Sequence, residues 1–320
     1  LIPRVHRLEV VDQPIRTDPS TAPIATSYLN GKLDHASTYR WAPKGKVRIM
    51  LADMMATFDT GNGWLFSSQK DKLFDLFIAG EPLNALVGLL LRKKGRVKKL
   101  AYVPADVSDH GLLHGFVKGR ADYILPLTVS LCPPIKSENF IPRNDHAIGY
   151  LGALEERFGV DKLIQAVPLI QKAVPHVRVE IVGSGPQREE LEQKADGLPV
   201  RFHGFLPDEE AERVMRGIAV GAAPYTEAFP NLDSGKIRFY AWCGVPSVVS
   251  KQTPEMVDLV MKYAAGVPAD PTPEEIAKAI VWLLTNDEAY RFALDGCMVL
   301  ADAFQSTVYF DKLFQSLNPA

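Results

Sequence analysis

From residue 147 onward, short runs of β-branched and aromatic residues alternate with longer amphipathic stretches, and most of the short runs end at a glycine or a proline. That alternation is what βα units joined in parallel produce, because each strand must be followed by a crossover helix before the next can pair beside it. The spacing predicts strands at Ala147–Leu151, Val177–Val182, Val200–His203, Val220–Tyr225 and Ser247–Ser250. Between and after them it predicts helices at Gly159–Ala173, Glu189–Ala195, Asp208–Arg216, Ile237–Trp242, Pro273–Leu284 and Glu288–Ala303. Asp208 and Thr272 are placed to cap two of these helices, and Gly244 to end a third. The earlier half carries a weaker version of the pattern. Strands are expected at Val47–Leu51, Leu73–Ala79, Lys99–Val103 and Ala121–Leu125, with a helix entered near Pro82.

The chain has 320 residues, enough for two domains that each bury a core. The Pro-rich and polar stretch around Pro133-Pro134 and Ile141–Asp145 reads as the linker between them. We therefore expect one domain over residues 1–142, a second over 143–304, and a terminal segment over 305–320. At 47% hydrophobic and 23% charged residues, disorder and fibrous architectures are excluded. Three cysteines, Cys132, Cys243 and Cys297, have no metal-binding spacing and cannot all pair, so free thiols in a reducing, cytoplasmic setting are expected. No apolar stretch reaches the length that spans a bilayer. The first residues lack both Met and the pattern of a secretory signal, which reads as a processed, trimmed or incomplete end.

A net charge of −2 conceals an asymmetry: residues 1–142 hold 19 Lys or Arg against 13 Asp or Glu, and the remainder 17 against 25. Much of the excess is in Arg92–Lys99, six cations in eight residues. The run is either a solvated helix end, where cations suit the dipole, or a surface for an anionic membrane or phosphorylated acceptor. Nucleic acid is set aside, since neither interleaved aromatics nor a nucleic-acid motif accompanies it.

In an open parallel sheet, ligands bind beyond the carboxyl ends of the strands. Three segments there draw notice. Gly183-Ser184-Gly185-Pro186 is either a turn or a place of close backbone approach. His203-Gly204-Phe205-Leu206-Pro207 is either a structural exit or a loop presenting backbone groups to a base; His203 reads as a hydrogen-bonding residue, with no second metal ligand at a useful spacing. The most specific is Pro224–Tyr240, where Asp233 or Ser234 starts a helix with Gly235 and Lys236 in its first turn. A cation at a helix start opposes the dipole, so Lys236 points to contact with a phosphate, which the free N–H groups would share.

These segments, in order, resemble the retaining, nucleotide-sugar-dependent glycosyltransferases of GT-B fold, in the group related to glycogen synthase and bacterial polysaccharide transferases (glycosyltransferase family 4-like). The resemblance runs through IGYLGALEERFGVDKLIQAV, VRVEIVGSGPQREELE, VRFHGFLPDEE, GAAPYTEAFPNLDSGKIRFYAWCGVPSVVS, TPEMVDLVMKYAAGVPADPTPEEIAKAI and YFDKLFQSL, covering 147–316. It implies an α/β fold with two Rossmann-like domains facing across a cleft, the first shortened here, and a C-terminal helix near 305–317 crossing back to the first domain. It also implies a nucleoside diphosphate sugar as donor, a saccharide or lipid-linked acceptor, no cofactor and no metal. Carried onto this chain, Lys236 and Glu227 take the catalytic roles. Gly152, Gly183, Gly185, Gly204, Phe205, Leu206, Tyr225, Asn231, Asp233, Ser234, Gly235 and Tyr240 surround the donor, and His110 and His114 lie on the acceptor side.

The chain also departs from the pattern. Ala153 and Phe158 stand where many relatives have Arg and Lys, and Phe239 where they have a carboxylate. The first domain is compressed between Ser108 and Arg120 and begins near what would be a later strand. Two readings follow: a hexosyltransferase in polysaccharide or glycolipid synthesis, associated with a membrane through Arg92–Lys99, or a non-catalytic relative that binds nucleotide sugar or supports a partner enzyme. A nucleotide-sugar epimerase fits less well, for lack of an acid/base pair.

Overall fold

The structure is a computed structural model. It describes residues 7–12, 24–29, 32–38, 73–79, 82–103, 111–124, 146–227 and 235–305, with 313 and 315. The expected strand at Val47–Leu51, the linker at 133–145 and most of the terminal helix near 305–317 lie outside them. Backbone contacts divide the chain into two units, Pro126–Asp311 forming one and Leu1–Leu125 with Lys312–Ala320 the other.

The smaller unit opens with three antiparallel strands, β1 (Arg7–Asp12), β2 (Ile24–Leu29) and β3 (Lys32–Thr38), paired in the order β1-β2-β3. The sequence is expected to start near a later strand of the first domain, and the structure has an antiparallel sheet there. The pairing of Leu29 with Lys32 leaves only Asn30-Gly31 between them, a dipeptide suited to two-residue hairpins. Then come β4 (Phe74–Ala79), α1 (Pro82–Lys93), β5 (Val97–Tyr102), α2 (Gly111–Lys118) and β6 (Tyr123–Ile124), giving a parallel sheet β4-β5-β6. Its core is small: Ala79, Ala85, Tyr102 and Val117 form one cluster, Val87, Leu91 and Val97 another.

The basic run forms the end of α1, the turn after it and the start of β5. That is the amino-terminal edge of the parallel strands, away from the edge where such sheets bind ligands. Arg92 and Lys99 both pair with Asp122, and Lys98 pairs with Asp75. Burial alone would raise the Asp122 pKa, but the Leu100 N–H and the Arg92 guanidinium outweigh it and hold the carboxyl below its ordinary value. Half of the run thus has carboxylate partners, and only Lys93 and Lys94 have both an exposed position and no ion pair among the described residues.

The larger unit continues with β7 (Ala147–Leu151), α3 (Val160–Ala173), β8 (Arg178–Val182), α4 (Arg188–Lys194), β9 (Val200–Gly204), α5 (Asp208–Arg216), β10 (Val220–Ala223), α6 (Gly235–Trp242), β11 (Ser247–Ser250), α7 (Pro254–Tyr263), β12 (Gly266–Ala269), α8 (Pro273–Thr285) and α9 (Asp287–Ala303). All six strands run parallel in the order β9-β8-β7-β10-β11-β12, the doubly wound order in which the chain starts in the middle, winds outward, returns and winds the other way. β7 and β10 are therefore neighbours whose following helices leave on opposite faces. One apolar cluster joins the sheet to α3, α4 and α8, and a second joins it to α5, α6 and α7. The hydrophobic positions read in the sequence, Leu163, Ile164, Val167 and Ile170, are all buried in the first.

Where β7 and β10 pair, Gly149 lies opposite Gly221. A side chain on Gly149 would overlap Ile218, and one on Gly221 would come 2.6 Å from the Tyr240 ring. The strands give up their own bulk so that the covering helix layer can press onto the backbone. Helix ends follow the sequence with one correction. Thr272 accepts a hydrogen bond from the Glu275 N–H at 3.3 Å and caps α8 as expected. Asp208 does not cap α5: Pro207 occupies the cap position without a side-chain bond, and Asp208 is the first helical residue beside Glu209 and Glu210. Its charge favours the dipole instead of closing the N–H groups.

Candidate active site

The switch point of the larger sheet, between the carboxyl ends of β7 and β10, is where several of the singled-out residues meet. β7 ends at Leu151 and turns sharply at Gly152, whose φ is +147°. The Gly152 N–H bonds to the Val182 carbonyl at 3.0 Å, and the Gly183 N–H to the Gly204 carbonyl at 2.8 Å, so the exits of β7, β8 and β9 are tied together. Gly183, with φ +142°, lies so close to Gly152 that a Cβ would overlap the Gly152 carbonyl oxygen. A Cβ at Gly185 would overlap the Leu154 backbone. Both glycines of that segment therefore serve close approach.

On the other side, the exit of β10 folds onto the turn that follows β7. The Thr226 N–H bonds to the Arg157 carbonyl at 3.1 Å. A short 3₁₀ turn at Glu156–Phe158 and the left-handed Gly159 lead from there into α3. Tyr225 is 4% exposed and meets Phe158 edge to face, ring centroids 5.2 Å apart. Lys236 enters this enclosure from the first turn of α6. Its Nζ lies 4.1 Å from the centroid of the Tyr150 ring, 4.9 Å from Tyr225 and 5.4 Å from Phe158. A Cβ at Gly152 would sit 3.1 Å from that Nζ, so Lys236 reaches directly over the glycine turn.

Among the described residues no carboxylate pairs with Lys236. The side chain as a whole keeps some accessible surface, while its ammonium is enclosed by rings. The loss of hydration brings its pKa down from 10.5 to about 7. Ring faces attract a cation, but each by a modest amount, and three neutral rings replace water poorly. The arrangement holds a buried cation that an arriving anion would satisfy. Phe158, standing where the resemblance leads one to expect a basic side chain, is one wall of this cage.

Tyr240 is not part of the surface that a ligand would meet. It is fully buried; its hydroxyl accepts from the Leu151 N–H at 3.0 Å and donates to the Ala222 carbonyl at 3.0 Å. The family resemblance grouped it with the donor-binding residues; four residues after Lys236, it shares the buried face of α6 instead. Phe239 is half-buried and packs against the apolar cluster under α6.

The remaining residues are more scattered. Glu227 is exposed, three residues beyond Pro224 at the exit of β10. Gly204 ends β9 with φ +74°, beside the Arg188 guanidinium, and is followed by Phe205, which is 78% exposed, and by half-buried Leu206. His203 bonds through Nε2 to the Glu180 carboxylate at 2.6 Å, a hydrogen-bonding role consistent with its reading. Gly235 starts α6. Asn231, Asp233, Ser234 and His110 lie outside the described residues; His114 is on α2. No group of three His, Cys, Asp or Glu among the described residues is arranged to hold a metal.

Residues 145–286 match the family model described as "Glycosyl transferases group 1". The larger unit is similar to that family over these residues. Over 143 residues the chain is 32% identical to a GDP-mannose-dependent alpha-(1-6)-phosphatidylinositol dimannoside mannosyltransferase of Mycobacterium tuberculosis, covering 44% of this chain and 36% of that protein. The match thus spans about a third of the length of that curated relative. Among solved structures, Anabaena HepE in complex with UDP superposes with a TM-score of 0.60 at 16% identity, over 82% of this chain and 81% of HepE. Sucrose-phosphate synthase from Thermosynechococcus elongatus gives 0.62 at 15% identity, over 82% and 78%. The chain has the GT-B fold, and the residues that match the family model include those that cage the lysine.

Proposed function

We propose that the protein transfers a hexose from a nucleoside diphosphate sugar to a saccharide or lipid-linked acceptor, with retention at the anomeric carbon. The observation that carries this reading is the Lys236 ammonium over the Gly152 turn, at the switch point and the start of α6, with no carboxylate partner among the described residues. A diphosphate there would meet the Lys236 amine, whose protonated form it would favour, and the N–H groups of the helix start. As the bond from the anomeric carbon to the β-phosphate oxygen breaks, negative charge grows on the leaving nucleotide, and Lys236 stabilises it. The acceptor oxygen then bonds to the same face of that carbon, and its proton leaves with the departing phosphate. Glu227, on the adjoining loop, is assigned to the sugar hydroxyls. Gly204, Phe205 and Leu206 are assigned to the base, and Gly152, Gly183 and Gly185 to the backbone around the phosphates.

The relatives support this kind of chemistry: one is named for GDP-mannose and a phosphatidylinositol mannoside, and HepE was solved with UDP-glucose. A lipid-linked acceptor at an anionic surface, met from the cytoplasm, is the corresponding reading for this chain. Lys93 and Lys94 are its most available cations. The reading assigns charge neutralisation to Lys236 and the α6 start, so transfer is expected to survive chelation of divalent ions.

A second reading, nucleotide-sugar binding without transfer, is favoured by Phe239, an apolar side chain where the resemblance calls for a carboxylate. One experiment separates them. The protein is incubated with GDP-mannose or UDP-glucose and lipid or saccharide acceptors, nucleotide release is measured, and the product linkage is read by NMR. Release with an unchanged anomeric configuration supports transfer with retention. Binding without release supports the second reading, and absence of binding to any nucleotide sugar overturns both.

A further inference from the structure

We infer that Tyr240 is a positioning residue for Lys236: its hydroxyl bridges the diverging ends of β7 and β10 and thereby sets the lysine over the Gly152 turn. The inference rests on the assignment of Lys236 to the donor diphosphate. The pairing of β7 with β10 reaches Val220 opposite Ile148 and Gly221 opposite Gly149. Beyond it, half-buried Leu151 presents an N–H and buried Ala222 a carbonyl, and an unmet polar group away from water is costly. The Tyr240 hydroxyl meets both, each at 3.0 Å.

The same tyrosine is clamped from below. Gly221 leaves room for its ring, as a Cβ there would lie 2.6 Å from Cδ2. Tyr240 follows Lys236 by four residues on α6, so the two side chains share one helix face. Leu151 is directly followed by Gly152, over which Lys236 reaches. A short physical path therefore runs from the hydroxyl through Leu151 and Gly152 to the ammonium, and it closes through α6.

The test is a double-mutant cycle with Tyr240→Phe and Lys236→Ala, reading GDP and UDP affinity by calorimetry. Phenylalanine keeps the ring and removes only the bridge. In the Lys236 background, Tyr240→Phe is expected to weaken nucleotide binding about tenfold, the scale of one or two lost hydrogen bonds. In the Lys236→Ala background the same change is expected to alter affinity less than twofold. Equal losses in both backgrounds would mean a general structural effect and overturn the inference. An effect of Lys236→Ala with none of Tyr240→Phe overturns it alone, leaving the transferase reading intact; wild-type protein that binds no nucleotide overturns both. Should Tyr240→Phe not fold, amide exchange in the wild type decides: the Leu151 N–H is expected to be strongly protected and more so with nucleotide, and fast exchange counts against the bridge.

Discussion

The Lys236 ammonium lies 4.1 Å from the centroid of the Tyr150 ring, and Tyr150 itself is buried with its hydroxyl donating to the Ala153 carbonyl at 2.6 Å. The cation therefore rests on a ring that cannot rotate away without breaking a hydrogen bond. Burial also pushes the Tyr150 pKa well above its ordinary value, so this ring supplies a neutral face at every pH at which the protein is handled.

Replacing Lys236 with Met should separate stability from function. The thioether chain keeps the volume and removes a poorly hydrated charge, so the melting temperature is expected to hold or rise by a few degrees. Turnover is expected to fall by about 100-fold or more, as when a transition-state charge loses its partner. A lower melting temperature in calorimetry would contradict the picture of an unsatisfied cation.

The pH dependence of stability follows from the same group. The pKa of Lys236 is about 7 in the folded chain against 10.5 without the fold. Between those values the unfolded chain holds a proton that the folded chain lacks, so raising the pH through this window stabilises the fold. Below about pH 7 both states are protonated and the cost of enclosing the charge is fully present. Denaturant titrations of wild type and Lys236→Met should converge as pH rises from 7 toward 10; a constant gap would argue against it.

Two glycines give a controlled comparison of conformation with close approach. Gly95 has φ +71° and open space where a Cβ would point, so Gly95→Ala should cost about 1 kcal/mol from the left-handed backbone alone. Gly183→Ala adds the overlap with the Gly152 carbonyl and should cost about 3 kcal/mol or more. Chemical denaturation of both variants tests this, and similar losses would show that the loops yield.

At the helix starts, Thr272→Ala should cost about 1 kcal/mol because it removes an actual cap. Asp208→Ala should cost about 0.5 kcal/mol, only its share of the dipole interaction, which added salt reduces. Equal, salt-independent losses would restore Asp208 to a capping role.

The larger unit was legible because its strands are short and carry β-branched or apolar residues between breaking residues, and the expected strand at Ala147–Leu151 and helix at Asp208–Arg216 match the structure residue for residue. What escaped was α7 and β12: Pro254 opens the helix well, but Gly266-Val267-Pro268-Ala269 lacks the β-branched density of a strand and is held by pairing with β11. In the smaller unit the antiparallel strands escaped although Asn30-Gly31 marks their hairpin, since the parallel pattern of the rest of the chain overshadows that short local signal. At the site, the expectation for Lys236 came from its conflict with the helix dipole, and the structure places its ammonium over the Gly152 turn. The cage was not, because Tyr150, Phe158 and Tyr225 come from separate segments and only the turn at Gly152 and the clamp of Thr226 on Arg157 assemble them.

Gly149 has a further consequence for anyone wishing to reshape this domain. The space that its missing side chain leaves is filled by Ile218, in the connection from α5 to β10, and by Met215 on α5. Exchanging bulk across that boundary, with Gly149→Ala and Ile218→Val together, conserves volume while shifting β7 by a few tenths of an ångström. The floor under the glycine turn is thus tunable from behind, through residues buried in the core.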